Sequence, residues 1–230
     1  MVDRILHLWK QIFPVPMAVV AVTVWGCASM PLDLPAAFRA KEKTSIITPA
    51  MRADAIREIA ARAEKADAAE QARYTEQLAS QIQTEPDPLV RQAIQETIAE
   101  FETPLAREVL LAGLRDSDLD VRLTCCQMLQ TRSDPVVIAG LSAVVENDDE
   151  LDVRLAAVDA LGHIRSPASV SALAAAVKDR DPAMQYAGVQ SLKAISAQDY
   201  GNDVEAWRQY ATSEQPQISV AERPTGWSPF

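Results

Sequence analysis

The side chains that most often perform covalent or metal chemistry in proteins are scarce in this sequence. Three cysteines (Cys27, Cys125 and Cys126) and two histidines (His7 and His163) occur among 230 residues. Nucleophilic catalysis and metal binding draw mainly on these residue types, usually on several together. If His7 is removed with an N-terminal leader, His163 is the only histidine left, which excludes a multi-histidine metal site. We therefore predict no catalytic residue, no metal ligand and no cofactor.

Cys125 and Cys126 are neighbours in the chain. If they lie in a helix, their side chains diverge by about 100°, and their Cα atoms are about 3.8 Å apart, closer than in ordinary disulfides. The pair is therefore unsuited to a dithiol switch. A free cysteine packs as a small apolar residue, so we predict that both thiols lie in the core.

The remaining cysteine follows an apolar run near the N-terminus. Residues 12–25 are apolar except for two prolines and one threonine, and the first ten residues carry a formal charge of +1. This run of 14 residues has the length of a signal-peptide core and is short of the roughly 18 apolar residues that span a bilayer. The pattern predicts a signal peptide over residues 1–26.

The residues Val24-Trp25-Gly26-Cys27 resemble the lipobox of bacterial lipoproteins. The resemblance implies cleavage before Cys27, lipidation of that cysteine, and anchoring on the periplasmic side of the outer or inner membrane. Acyl chains attach a protein to a bilayer with about 0.8 kcal/mol for each buried methylene. Trp25 stands where the motif usually has a small residue, which leaves a single uncleaved transmembrane anchor as the alternative.

Composition narrows the classes of partner. The chain is 48% hydrophobic and 23% charged, as in an ordinary globular protein, and its 22 basic and 32 acidic residues give a net charge of −10. A strongly acidic surface repels phosphate backbones. A nucleic-acid partner is therefore disfavoured.

An internal repeat organises the middle of the chain. Arg91, Arg122, Arg154 and Gln185 follow one another at spacings of 31, 32 and 31 residues. An acidic residue stands six positions before each of them: Glu85, Asp116, Asp148 and Asp179. A repeat of this length is typical of stacked helical hairpins.

Residues typical of helix starts divide each repeat into two helices. A short polar residue followed by proline, the preferred pair at a helix start, occurs six times: Thr48-Pro49, Asp87-Pro88, Thr103-Pro104, Asp134-Pro135, Ser166-Pro167 and Asp181-Pro182. Apolar residues between these pairs recur with helical spacing. We find no two-residue alternation and predict no sheet.

The segments Leu114–Arg122 and Asp152–Gly162 resemble HEAT repeats, specifically the short HEAT-like units also found in phycobilin lyases. The resemblance implies an all-α, right-handed α-solenoid of about four helix pairs, of the armadillo-like helical class. The predicted organisation is a tether over 27–47, an N-terminal capping helix over 48–67, repeats over 68–197, a C-terminal capping helix over 200–212 and a flexible tail over 213–230.

The repeated acids and arginines have a structural role in this fold. We predict that they form a ladder of charge-assisted hydrogen bonds between repeats, made by Glu85, Arg91, Asp116, Arg122, Asp148, Arg154 and Asp179. Since Gln185 replaces the arginine of the last repeat, the ladder is expected to end there.

HEAT repeats are mostly scaffolds for other proteins, which implies a non-enzymatic adaptor that binds a protein or complex of the cell envelope. The predicted binding face lies on the inner helices and comprises Gln92, Gln95, Leu123, Gln127, Leu155, Asp159 and Tyr186. The alternative is a bilin-lyase-like enzyme or accessory subunit that handles a chromophore. A chain with 5% aromatic residues offers little lining for such a pocket, and we expect no small-molecule substrate.

Overall fold

The structure is a computed structural model that describes residues 46–63 and 66–218. Ten α-helices occur in these ranges. They are α1 (Pro49–Ala63), α2 (Ala68–Ile82), α3 (Pro88–Ala99), α4 (Pro104–Gly113), α5 (Leu119–Leu129), α6 (Pro135–Asn147), α7 (Leu151–His163), α8 (Pro167–Lys178), α9 (Pro182–Ile195) and α10 (Val204–Ala211). The prediction of an all-helical fold is confirmed, and the one strand-like pairing in these ranges is an isolated bridge between Ser196 and Ile218.

The helices form two layers. The inner layer consists of α1, α3, α5, α7 and α9, each packed on the next. The outer layer consists of α2, α4, α6, α8 and α10, and each outer helix from α2 to α8 pairs with the inner helix that follows it. Stacked hairpins of this kind define an α-solenoid, as predicted. No helix in the described ranges is long and apolar enough to cross a membrane.

Polar–proline pairs begin six of these helices, as the sequence indicates. The side chains of Asp87, Thr103, Ser166 and Asp181 accept a hydrogen bond from a backbone N–H in the first turn of their helices. Such bonds satisfy amides that have no partner inside the helix. Asp134 is the exception: its carboxylate makes no capping bond and instead accepts one from Arg107 at 2.9 Å.

The apolar core has the same period as the sequence repeat. One row of apolar side chains lies directly before the arginine or glutamine of each repeat, and a second row lies eight residues after the first. All of them are fully buried: Val90, Val121, Val153, Met184, Ile98, Leu129, Leu161 and Leu192. They belong to one continuous cluster along the stack, so each repeat completes the core of its neighbour.

Cys125 and Cys126 lie in this core, which confirms their predicted place. Both residues are fully buried. Burial raises the pKa of the Cys126 thiol to about 12 and that of Cys125 well above its ordinary value. Thiols with pKa values this high stay protonated at neutral pH and are poor nucleophiles.

The two ends of the stack differ from the predicted organisation. Helix α1 packs on α3 as α3 packs on α5, so it is an inner helix as well as the first helix described. At the other end, residues 213–218 of the predicted tail contact the last helices of the stack. The backbone of Gln217 accepts hydrogen bonds from the Tyr210 hydroxyl and from the amide of Ala197, which hold this segment against α9 and α10. Residues 219–230 of that prediction lie outside the described ranges.

Helix α10 covers the outer layer at this end. Trp207 is fully buried, and its indole N–H donates to the carbonyl of Gly201 at 3.0 Å. Arg208 donates through Nε and Nη2 to the carbonyl of Val177, in the last turn of α8. The helix that covers the end of α8 therefore satisfies one of the carbonyls that have no partner inside α8.

Serine and glycine permit close contact between inner helices. The hydroxyl of Ser191 in α9 donates to the carbonyl of Val158 in α7 at 3.0 Å. The hydroxyl of Thr97 in α3 donates to the carbonyl of Ile56 in α1 at 3.3 Å, at the equivalent positions three repeats earlier. A Cβ atom on Gly162 would lie 2.6 Å from the Cβ of Ser191 and 3.0 Å from its Cα.

We expect Gly162→Ala to destabilise the protein. The added methyl group would overlap the Cβ and Cα atoms of Ser191 and would therefore force α7 and α9 apart. The net cost is about 1–3 kcal/mol, typical of overpacking, even though alanine is the better helix former. Gly140→Ala is the matched control, since its Cβ would meet only the flexible ends of Leu111 and Leu114, at 2.9 and 3.3 Å, and no backbone atom. Thermal unfolding followed by circular dichroism measures both; equal melting temperatures for the two variants would contradict the close contact.

Candidate functional site

The ladder begins with a two-point contact between repeats. Arg91, at the start of α3, donates through Nε and Nη2 to the two carboxylate oxygens of Asp116, at 2.8 and 2.7 Å. Asp116 lies in the turn between α4 and α5, in the next repeat. Both side chains are only 13% exposed, so solvent screens this contact far less than a surface ion pair.

The contact recurs along the stack. Arg122 donates to both oxygens of Asp148 at 2.9 and 3.2 Å. In the next repeat, Arg154 reaches Asp179 with Nη1 alone, at 3.4 Å, and its buried Nε has no hydrogen-bond partner. The ladder thus weakens toward the C-terminal end of the described repeats.

Most ladder residues also form hydrogen bonds within their own turn. Arg122 donates to the carbonyl of Asp116 at 3.0 Å, six residues earlier. The ladder acids accept a backbone N–H two residues further on, as from Asp118 to Asp116 at 2.9 Å and from Glu150 to Asp148 at 3.0 Å. One carboxylate therefore joins the turn of its own repeat to the inner helix of the preceding repeat.

The ionisation of Asp116 reflects these bonds. Burial raises the pKa of its carboxyl, but the hydrogen bonds from Arg91 and from the backbone of Asp118 outweigh burial and hold that pKa below its ordinary value. A lowered folded-state pKa stabilises the protein above the unfolded value of about 3.9, and that contribution is lost as the pH falls through the folded-state value.

The ladder has one more member than the sequence analysis identified. Arg52 in α1 donates to Glu85 at 2.6 Å, so Glu85 receives an arginine from the preceding inner helix like the other ladder acids. The signal for it is the segment Pro49-Ala50-Met51-Arg52, which has the pattern of Pro88-Leu89-Val90-Arg91. At the other end, Gln185 donates to the backbone carbonyl of Asp179 at 2.7 Å, within its own turn.

A second surface runs along the inner helices. It is formed by α3, α5, α7 and α9. On each of these helices, three residues that are not buried are spaced three and then four positions apart, so the three side chains lie on one side of the helix. We call these twelve residues the inner face. They are Leu89, Gln92, Glu96, Asp120, Leu123, Gln127, Asp152, Leu155, Asp159, Ala183, Tyr186 and Gln190.

The structure places six of the seven predicted binding residues on the inner face. The prediction for Gln95 is wrong: this residue is 1% exposed and donates to the carbonyl of Val109 in α4 at 3.3 Å. Its side-chain oxygen is buried without a partner. Glu96, one residue further along α3, takes the position on the inner face and accepts a hydrogen bond from Arg57 of α1 at 2.8 Å.

The middle row of the inner face is partly apolar. Leu123 and Leu155 are partly buried and pack against the core, whereas Tyr186 is 67% exposed. Gln92, the fourth member of the row, donates to Thr124 of the next inner helix at 3.1 Å. The row thus crosses four adjacent helices and presents leucine and tyrosine surface at three of them.

The described residues contain no group of three or more histidine, cysteine or acidic side chains placed to hold a metal ion. The Nε2 atom of His163 lies 3.6 Å from a carboxylate oxygen of Asp159.

Cys27 and the predicted signal peptide and tether up to residue 45 lie outside the described ranges.

Stacked helical hairpins, tied by repeated arginine–carboxylate bonds and joined in one core, define a helical repeat protein. The family model described as HEAT repeats matches residues 75–162 and again residues 138–217. These matches together span more than half of the chain, so this chain belongs to the HEAT-repeat family.

One solved structure that is similar to this chain is human deoxyhypusine hydroxylase in complex with glycerol. The two share 22% sequence identity with a TM-score of 0.48, over 52% of this chain and 42% of that one. This chain therefore spans less than half the length of that protein. Among curated proteins, none matches the sequence.

We expect Arg122→Ala to destabilise the protein by about 2–3 kcal/mol, since it leaves the Asp148 carboxylate without its charged donor. The melting temperature then falls by about 4–10 °C. Arg115→Ala is the control, because Arg115 is exposed and lies next to Asp116, in the turn between α4 and α5 that Arg122 also contacts. A melting temperature that stays unchanged in Arg122→Ala would show that the ladder does not stabilise the stack.

Proposed function

We propose that this protein is a non-enzymatic scaffold that binds another protein of the cell envelope through the inner face. The observation that carries the proposal is the partly apolar row across four adjacent inner helices, which ends in the exposed ring of Tyr186. Exposed apolar surface rimmed by polar residues is typical of protein-binding sites. Tyrosine is also enriched among the residues that dominate binding energy.

The chemistry of the described residues supports binding rather than catalysis. Both thiols in these ranges are buried in the core with raised pKa values. The most deeply buried arginine–carboxylate pairs belong to the ladder, where they hold repeats together. The inner face lies outside the ladder and combines leucine and tyrosine side chains with carboxylates.

We further propose that the scaffold is attached to a bacterial membrane through lipid on Cys27. The resemblance of residues 24–27 to a lipobox supports this part of the proposal. A short anchor followed by the tether over residues 27–47 would leave the repeats accessible to a partner next to the membrane.

Site-specific photo-crosslinking tests the binding surface. A photo-reactive residue at position 127, exposed on the inner face, is expected to form adducts with a partner protein in the cells that produce this chain. The matched control is position 139, which is also exposed but lies on outer helix α6. Adducts at position 139 and none at position 127 would contradict binding through the inner face.

The anchor is tested by Cys27→Ser in the full chain. We expect the unaltered protein to fractionate with membranes and to carry acyl chains on its N-terminal residue, because lipidation requires the Cys27 thiol. The variant is expected to lose the acyl mass and to retain its uncleaved leader. Mass spectrometry of the N-terminal peptide measures both, and an unmodified N-terminus in the unaltered protein would refute lipidation.

A further inference from the structure

The charges on the inner face all have one sign. Four of its twelve residues are acidic, namely Glu96, Asp120, Asp152 and Asp159, and none is lysine or arginine. Glu96 is bonded to Arg57, and Asp159 lies close to His163. Within the described ranges, the exposed carboxylates of Asp120 and Asp152 have no cationic partner.

Asp120 and Asp152 occupy equivalent positions in the first turns of α5 and α7. An acid in a first turn is favoured by the helix dipole. Helix stability does not require one here, however, because α3 and α9 carry Leu89 and Ala183 at the same position. The two inner-face acids without a cationic partner, Asp120 and Asp152, therefore lie in the two central repeats, on the same helices as Leu123 and Leu155.

The spacing of these groups defines the form of a matching ligand. Adjacent packed helices lie about 8–10 Å apart, so the two carboxylates, and likewise the two leucines, repeat at about that interval across the inner layer. In an α-helix, two side chains seven residues apart lie on one face with an axial separation of about 10.5 Å. A helix that crosses the inner layer can thus place one basic and one apolar residue on each central repeat.

On the basis of the proposed function, we infer that the partner presents an amphipathic helix with lysine or arginine along one edge of its apolar stripe. Its apolar side chains pack on Leu123, Leu155 and Tyr186, and its cations pair with Asp120 and Asp152. Charge complementarity of this kind selects a basic partner and disfavours acidic ones.

Two synthetic helical peptides test the inference on the full chain. Each is about 18 residues long, enough to form a helix on binding, with leucine in the apolar stripe and either lysine or glutamate along its edge. Fluorescence anisotropy of the labelled peptides measures their affinities. We expect the lysine peptide to bind and the glutamate peptide not to bind.

Two variants then locate the binding site. Asp120→Asn with Asp152→Asn is expected to weaken the lysine peptide by about fivefold or more at low salt, and much less at high salt, because exposed ion pairs contribute little when screened. The control, Glu76→Gln with Glu108→Gln, removes the same charge from exposed positions on outer helices α2 and α4. Tyr186→Ala is expected to weaken the lysine peptide at both salt concentrations.

Equal loss of affinity in the control variant would show attraction by net charge alone and would overturn the inference. Tight binding of the glutamate peptide would also overturn it. If position 127 forms adducts with a cellular partner while the lysine peptide does not bind, the scaffold proposal stands and the inferred partner chemistry is wrong. If neither result is obtained, both proposals fail.

Discussion

A hairpin of two helices and about 30 residues exposes more apolar surface than it can bury, so each repeat depends on contact with its neighbours. In this protein the contact is fixed by arginine–carboxylate bonds that run from one inner helix to the turn of the next repeat. Two points of attachment define both distance and orientation, as the bidentate bond from Arg91 to Asp116 illustrates. Since the same carboxylate accepts a backbone N–H of its own turn, a single side chain joins the local structure of one repeat to the position of another.

The ladder and the inner face divide the polar chemistry of the inner helices between them. Residues at the ladder positions are largely buried and paired. Inner-face residues that lie one and five positions after a ladder arginine, such as Leu123 and Gln127 after Arg122, remain accessible. A helical repeat can therefore keep the residues that stack it constant while those on the accessible side vary. This separation is why the variants that test binding are expected to leave the stack intact.

Much of this arrangement could be predicted because it is periodic. The recurrence of arginine, of an acid six residues earlier and of proline at helix starts indicates the helix pairs and the ladder residues directly. Gln95 was misplaced because consecutive residues in a helix point about 100° apart, and only packing decides whether position 95 or 96 is exposed. Arg52 was missed because 39 residues separate it from Arg91, outside the regular spacing. The contacts of residues 213–218, such as those with the Tyr210 hydroxyl and with Ser196 just after α9, are individual ones that no periodic pattern encodes.

The substitution at Gln185 also bears on self-assembly. A solenoid with identical ends invites copies of itself to join head to tail without limit, as in a fibre. Here the final inner helix carries an amide where earlier ones carry a guanidinium, and Ile46 occupies the position six residues before Arg52 where later repeats have an acid. In a second copy stacked in register, Ile46 would face Gln185, so the described residues offer no arginine–carboxylate bond at that junction.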